Sequence, residues 1–311
     1  MKAIVAGSLV MDIVIYPTKD FKLVKDFIAI PFDHKIQVSK IFIEAGGSGY
    51  NVASTLTNFG NKVDLFGAVG KDTYGQIILK SMKKNKISLD CTKTITNDLT
   101  GFSLIFLYEG EKTIVTYRGA NNHLSEEDLI ESKFRNSNIF IFTSMVSNQN
   151  VKFIDKAISI SKKYGLKIFC NPSIAMVEYQ KEKLKEFIKN CDFVIMNKKE
   201  ALKLTKTNNL KASISKLKKM CNGIPIITAG KLGCFAYDKK IKNFRAYDVE
   251  VIDTTGAGDT FTGAFIHTFY LTEDLEYSLR FANAAAAIKI SSHNRKIPSE
   301  KEVVKFMEEK S

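Results

Sequence analysis

The residues of this 311-residue chain best suited to chemistry lie in one run, Asp253-Thr254-Thr255-Gly256-Ala257-Gly258-Asp259-Thr260. It follows a β-branched stretch ending in Val249, Val251 and Ile252. It precedes Phe261-Thr262-Gly263-Ala264-Phe265-Ile266, whose small and apolar spacing predicts a buried helix. Glycines at a loop-to-helix junction let backbone N–H groups approach a ligand with no Cβ in the way. The helix N-terminus adds unpaired donors and a partial positive charge, so the junction is suited to holding an anion. Asp259 is the unusual member, because a carboxylate in an anion nest repels the ligand. The task that would require it there is acceptance of a hydroxyl proton during phosphoryl transfer. The same residues also suit a plain turn with Asp259 as a helix cap.

Four further stretches put polar groups at strand ends or helix starts. Asp12 lies among Met11 and Ile13-Val14-Ile15, where an unsatisfied carboxylate is costly, so it needs either a local hydrogen bond or a ligand hydroxyl. Glu44-Ala45-Gly46-Gly47-Ser48-Gly49-Tyr50-Asn51 is a second glycine-rich helix start, with the wrong spacing for a dinucleotide fingerprint. Asn197-Lys198-Lys199-Glu200 has the spacing of a capping box. Thr228-Ala229-Gly230-Lys231-Leu232-Gly233 suits a turn between two strands. There is no G-x-x-x-x-G-K-[ST] run, so a Walker-type lysine is not the device used.

Taken together and in this order, the motifs resemble those of the ribokinase (PfkB) family of sugar and nucleoside kinases. The resemblance runs from Asp12 to the Ile297-Pro298 segment. It implies a ribokinase-like three-layer α/β/α fold, a doubly wound and mostly parallel sheet carrying a small β-sheet lid, in one kinase domain spanning residues 1–311. It implies ATP and Mg²⁺ as cofactors and Asp259 as the base, with the amides of Gly256, Ala257 and Gly258 stabilising the moving phosphoryl group. The acceptor would meet Asp12, Gly46, Gly47, Ser48, Asn51, Arg118 and Asp259. ATP would meet Asn197, Thr228, Gly230, Gly233, Thr255, Gly256, Gly258 and Asn283. Glu200 would organise Mg²⁺ through water, which suits an ion that keeps several waters. Asp253 would lie by a monovalent cation such as K⁺.

The chain departs from true ribokinases at informative points. Val10 stands where they carry asparagine, Ser48 where they carry lysine, and Tyr50 where they carry a small alanine. Tyr50 could stack on a base or an apolar sugar face, and Arg118 could reach an acidic sugar. A sugar acceptor and a nucleoside acceptor are therefore both open. The later cation loop is shortened to Ser291-Ser292-His293-Asn294-Arg295, which puts K⁺ activation in question. Dimerisation through the lid is a further implication of the family.

Composition narrows the other classes. Apolar content of 45% and charged content of 25% are ordinary for a globular protein. Cys91, Cys170, Cys191, Cys221 and Cys234 are odd in number and never form C-x-x-C, which reads as buried thiols rather than disulfides or zinc ligands. Met1 to Tyr16 is broken by Asp12 and stopped by Pro17, so no targeting segment is read and a cytoplasmic protein is expected. No apolar run is long enough to span a membrane. The net charge of +13 comes mostly from scattered lysine, with arginine only at 118, 135, 245, 280 and 295. Base readout leans on arginine and no nucleic-acid motif is visible, so no nucleic-acid partner is expected.

The elements that must position these groups follow from periodicity. Residues 2–6 and 62–69 read as core strands, and residues 17–34 as an irregular connection. Lid strands are expected at about 12–16, 35–43, 102–108 and 113–118, the last two joined by the turn Glu109-Gly110-Glu111-Lys112. Gly70-Lys71-Asp72-x-x-Gly75 reads as a structural turn. From residue 125 helices alternate with strands at 139–142, 166–170, 193–196 and 224–228, which implies parallel strands with right-handed crossovers. Two more strands are expected within 241–252, then helices at 257–270, 274–291 and 299–309. Ligands of such a sheet gather at the carboxyl ends of its strands.

Overall fold

The computed structural model describes all residues except 19, 20, 26, 109, 110, 293–295 and 311. Its centre is a nine-stranded sheet in the spatial order Ile241–Phe244, Cys234–Tyr237, Ile224–Thr228, Phe193–Asn197, Lys167–Cys170, Ile139–Phe142, Lys2–Ala6, Lys62–Gly70, Thr92–Ile95. Only the two pairings made by Cys234–Tyr237 are antiparallel. Strand alternation sends Ala3 and Val5 to one face and Ile4 and Ala6 to the other, and both sets are wholly buried. Parallel strands need cover on both faces. Helices Ser48–Asn58, Thr73–Lys84, Ala257–Thr272 and Leu275–Ile290 supply it on one side. Helices Asn148–Lys163, Lys181–Ile188, Lys198–Thr205 and Leu210–Met220 supply it on the other.

The chain starts in Lys2–Ala6, builds outward to Thr92–Ile95, then returns to lay Ile139–Phe142 along the other side of its first strand. That reversal opens a crevice at the carboxyl ends of Lys2–Ala6 and Ile139–Phe142, the place where doubly wound sheets bind ligands. A separate four-stranded sheet, ordered Lys40–Gly46, Val10–Tyr16, Gly101–Tyr108, Glu111–Tyr117, grows directly from the first strand. Its outer pairs are antiparallel and its central pair is parallel.

Several boundaries differ from the sequence reading. The strand expected at 35–43 starts at Lys40 and runs on to Gly46, because its partner offers only the seven positions from Tyr16, opposite Lys40, to Val10, opposite Gly46. Residues 17–34 hold a short antiparallel pair, Lys22–Val24 with Phe27–Ala29. Thr92–Ile95 extends the main sheet although its polar composition does not read as a strand. Within 241–252 only Ile241–Phe244 is a strand. Beyond it the Ile252 and Asp253 N–H groups turn to the Ile290 carbonyl at 2.8 and 3.1 Å. The turn residues Glu109 and Gly110, and His293, Asn294 and Arg295 of the cation loop, lie outside the described residues. All five cysteines are buried and free. Among the described residues no helix is long and apolar enough to cross a membrane.

Candidate active site

The Asp253–Thr260 run forms the start of helix Ala257–Thr272. Gly256 is its N-cap at φ 75°, a left-handed conformation that glycine adopts without strain, and no side chain caps the helix. Asp253 is buried and its Oδ1 accepts the Thr255 N–H at 2.8 Å, which tightens the turn. The helix start divides two cavities. Gly256 and Thr255 line one of about 530 Å³, while Gly258 and Asp259 line one of about 140 Å³. A Cβ on Gly258 would meet nothing within 4 Å, so this backbone is open to a close approach.

Asp259 is joined to the second glycine-rich motif across 208 residues of sequence. Asn51 Nδ2 donates to Asp259 Oδ2 at 2.8 Å. Asn51 lines the larger cavity and Asp259 the smaller, so this hydrogen bond bridges the partition. Burial pushes the Asp259 carboxyl up to about 6, while Asn51, Lys112 and Lys289 pull the other way. Lys112 belongs to strand Glu111–Tyr117, so the small sheet brings its charge within electrostatic reach of Asp259.

Gly47, at φ 95°, precedes helix Ser48–Asn58, and a Cβ there would stand 2.5 Å from the Ser8 carbonyl oxygen. At Gly46 a Cβ would collide with Asp12 Oδ2, which shows how closely the buried Asp12 carboxylate packs on that backbone. Asp12 lines the larger cavity. Ser48 lines the smaller one and enters a chain of hydroxyls not foreseen from the sequence. Its Oγ donates to Thr143 Oγ1 at 2.8 Å, lies 3.3 Å from Ser8 Oγ, and accepts the Ser144 N–H at 3.2 Å. Ser144 Oγ donates to Ser173 Oγ at 2.9 Å. Ser8 and Thr143 follow the two strands at the crevice, so this chain lies at the topological switch point. Only their position after strand ends could have singled these residues out. Arg118 reaches the same chain, with Nη2 3.5 Å from Ser144 Oγ, and lines neither cavity.

On the other side of Asp259, Asn197 and Glu200 form a reciprocal capping box, each backbone N–H donating to the other side chain at 2.9 Å. Both line the smaller cavity with Asn171, Ser173 and Thr228. Burial raises the Glu200 carboxyl to about 7, helped by the charge on Asp259 and opposed by the Asn197 hydrogen bonds. Two carboxylates held above their usual range around one small polar pocket suit a divalent cation, whose charge would relieve both. Gly230 starts a short turn, and Gly233, at φ 80°, closes it where a Cβ would strike the Phe244 carbonyl oxygen. Asn283 is buried and donates to the Phe244 and Arg245 carbonyls at 3.1 and 3.3 Å. It thereby ties helix Leu275–Ile290 to the end of the sheet.

Tyr50 departs from the sequence expectation. Its ring belongs to the apolar core, and its hydroxyl contacts Ser81 Oγ at 2.7 Å and accepts from Asn85 Nδ2 at 2.8 Å. The ring is thus nearly buried and its hydroxyl is held by Ser81 and Asn85, although Tyr50 still contributes to the wall of the larger cavity. Asp72 caps helix Thr73–Lys84 through the Gly75 N–H and also accepts from the Thr100 N–H and hydroxyl. It is a structural brace, as the motif suggests.

A model of the pfkB family of carbohydrate kinases matches residues 2–302. The chain belongs to that family. This pfkB kinase is accordingly an ATP-dependent phosphotransferase acting on an alcohol group. The ribokinase of Lactococcus lactis is 33% identical to it over 251 residues, 79% of each chain. The E. coli protein described as ribokinase II, solved in complex with ATP and Mg²⁺, is 21% identical with a TM-score of 0.84 over 99% of both chains. Adenosine kinase from Sinorhizobium meliloti has the same TM-score, 0.84, at 21% identity, covering 100% of this chain and 99% of its own. The fold is therefore the ribokinase-like α/β fold, shared by sugar and nucleoside kinases.

Proposed function

We propose that this pfkB kinase transfers the γ-phosphoryl group of ATP to a primary hydroxyl of a small sugar, with Asp259 as the base. The observation that carries the reading is the Asn51–Asp259 hydrogen bond across the partition between the two cavities. The acceptor sits on the Asp12 and Asn51 side, against Gly46 and Gly47, with Ser48 reaching it from the smaller cavity and Arg118 acting through Ser144. The phosphates sit on the Gly258, Asn197 and Thr228 side, with Gly230, Gly233 and Asn283 shaping the nucleotide end, while Thr255 faces the acceptor cavity. Bound MgATP supplies the phosphoryl group and the positive charge that screens its oxygens. The chain does the rest. Amides of Gly256 to Gly258 face the charge that develops on the moving group, and Asp259 takes the hydroxyl proton as the acceptor oxygen attacks. With a carboxyl at about 6, Asp259 is mostly ionised at neutral pH and ready to accept that proton. Glu200 would help hold Mg²⁺, by way of water. The small sheet acts as a lid, and its exposed Ile41, Ile43, Ile114 and Val115 suit a homodimer contact.

A sugar is favoured over a nucleoside because Tyr50, the one aromatic lining the larger cavity, is committed to the core and to Ser81 and Asn85. An ATP-consumption screen over ribose, fructose, ketodeoxygluconate, adenosine, cytidine and inosine tests this, and turnover confined to the nucleosides would reverse it. Asp259→Asn should lower kcat by roughly 10²–10⁴ with ATP binding retained. Turnover at the wild-type rate in that variant would refute the base assignment.

A further inference from the structure

The anion loop and its surroundings are rich in carboxylates. Asp253 and Asp259 lie within it and Glu200 faces the same small cavity, yet the site must accept a polyanion. A fixed positive charge near the loop would offset this, and among the described residues Lys289 is placed to supply it. Lys289 is in the last turn of helix Leu275–Ile290. That helix end is stitched to the loop by the Ile252 and Asp253 N–H groups, which both donate to the Ile290 carbonyl. The half-buried Lys289 side chain runs back toward Gly256. Its Cε lies 3.6 Å from the point where a Cβ on Gly256 would stand, and Asn51 Nδ2 lies 3.8 Å from that point. Lys289 lines the larger cavity together with Thr255, Gly256 and Asn51. Thr255 Oγ1, in the same wall, is buried with no hydrogen-bond partner.

A lysine in the last turn of a helix has an ordinary use, since it complements the dipole at that end. That use asks only that the ammonium stay near the terminal carbonyls. It does not ask that the stem lie against a glycine of another segment, beside the asparagine that holds Asp259. Among the described residues, the remaining charged groups of the cavity are Asp12 and Glu44 on the small sheet and Lys84, Lys86 and Lys296 elsewhere in its wall. Glu302 takes up Lys296 at 2.9 Å, and Lys84 and Lys86 are exposed. From the small sheet, Lys112 also acts on Asp259.

We propose that Lys289 is a positioning residue for phosphoryl transfer, its ammonium supplying a fixed positive charge on the acceptor side of the Gly256–Asp259 loop. The role matters most as charge develops on the moving group, so its loss falls on kcat more than on KM. This inference rests on the phosphoryl-transfer reading above.

The test compares wild type, Asp259→Asn, Lys289→Met, Lys289→Ala and Lys289→Arg, each checked by thermal melting, with the best acceptor of the screen. Lys289→Met should lose roughly 10- to 100-fold in kcat while KM for ATP and acceptor changes by less than about threefold. Lys289→Arg should recover most of the loss. Lys289→Ala leaves room for a small cation, so ammonium or methylammonium should raise its kcat several-fold and leave wild type and Lys289→Met unmoved. The assignment is overturned if natively melting Lys289→Met keeps its kcat, or if neither arginine nor the added cations restore the loss. Should Lys289→Met not fold, the arginine and alanine arms decide alone. Absence of turnover in wild type with every acceptor would instead remove the kinase reading itself.

Discussion

Asn51→Leu removes the one side-chain hydrogen bond to Asp259 among the described residues while keeping a side chain of similar size. The lost contact is a 2.8 Å N–H donation to a carboxylate. Hydrogen bonds to charged groups are worth about 1.5–3 kcal/mol, and one pKa unit corresponds to 1.36 kcal/mol, which bounds the change at about one to two units. Asp259 and Asn51 are only partly buried, so water recovers some of the loss and about one unit is expected. The sign follows from burial, which already raises the Asp259 carboxyl to about 6, so loss of Asn51 raises it further to about 7. A base works only when deprotonated, so activity falls as pH drops through that value. At pH 6 the ionised fraction then falls from about one half to about one tenth, a roughly fivefold loss, whereas at pH 9 both proteins are fully ionised. Glu200, held at about 7, titrates in the same window. The kcat/KM profile from pH 5 to 9 is therefore also measured in a Glu200→Gln background, where only Asp259 can move the acid limb. An unmoved limb, or a loss of equal size at every pH, would refute this account of Asn51 and Asp259.

Other expected outcomes follow from single contacts. Glu200→Gln should raise the Mg²⁺ concentration for half-maximal activity by about tenfold, read from a Mg²⁺ titration at fixed ATP. Gly47→Ala forces a Cβ to within 2.5 Å of the Ser8 carbonyl at φ 95° and should lower stability by more than about 1 kcal/mol, seen by urea unfolding, with a raised acceptor KM. Asp72→Ala loses a helix cap and two bonds to Thr100 and should cost about 1–2 kcal/mol in the same assay, with kcat/KM per folded molecule unchanged.

The local pieces of this protein are readable along the chain because the forces that make them act over a few residues. The glycines at 256 and 258, the capping box at Asn197 and Glu200, and the alternation of apolar strand and helix each declare themselves within a window of about a dozen residues. The order of motifs that marks the family is also readable from the sequence, although it spans nearly the whole chain. Strand limits are less local, since a strand lasts only as long as its partner does. Lys40–Gly46 is set by Val10–Tyr16, and Thr92–Ile95 is a strand because Gly67–Gly70 is there to pair with it.

What the sequence determined by itself is the family and with it the reaction class, through the order of its motifs. Tertiary structure decided how the groups of the site act on each other. Asn51 meets Asp259, Ser48 meets Thr143, and Lys289 meets Gly256 only because helices distant in sequence end at one crevice. It also packed the Tyr50 ring into the core and tied its hydroxyl to Ser81 and Asn85. Contacts of that kind depend on packing between segments far apart in the chain, and no spacing within one segment encodes them.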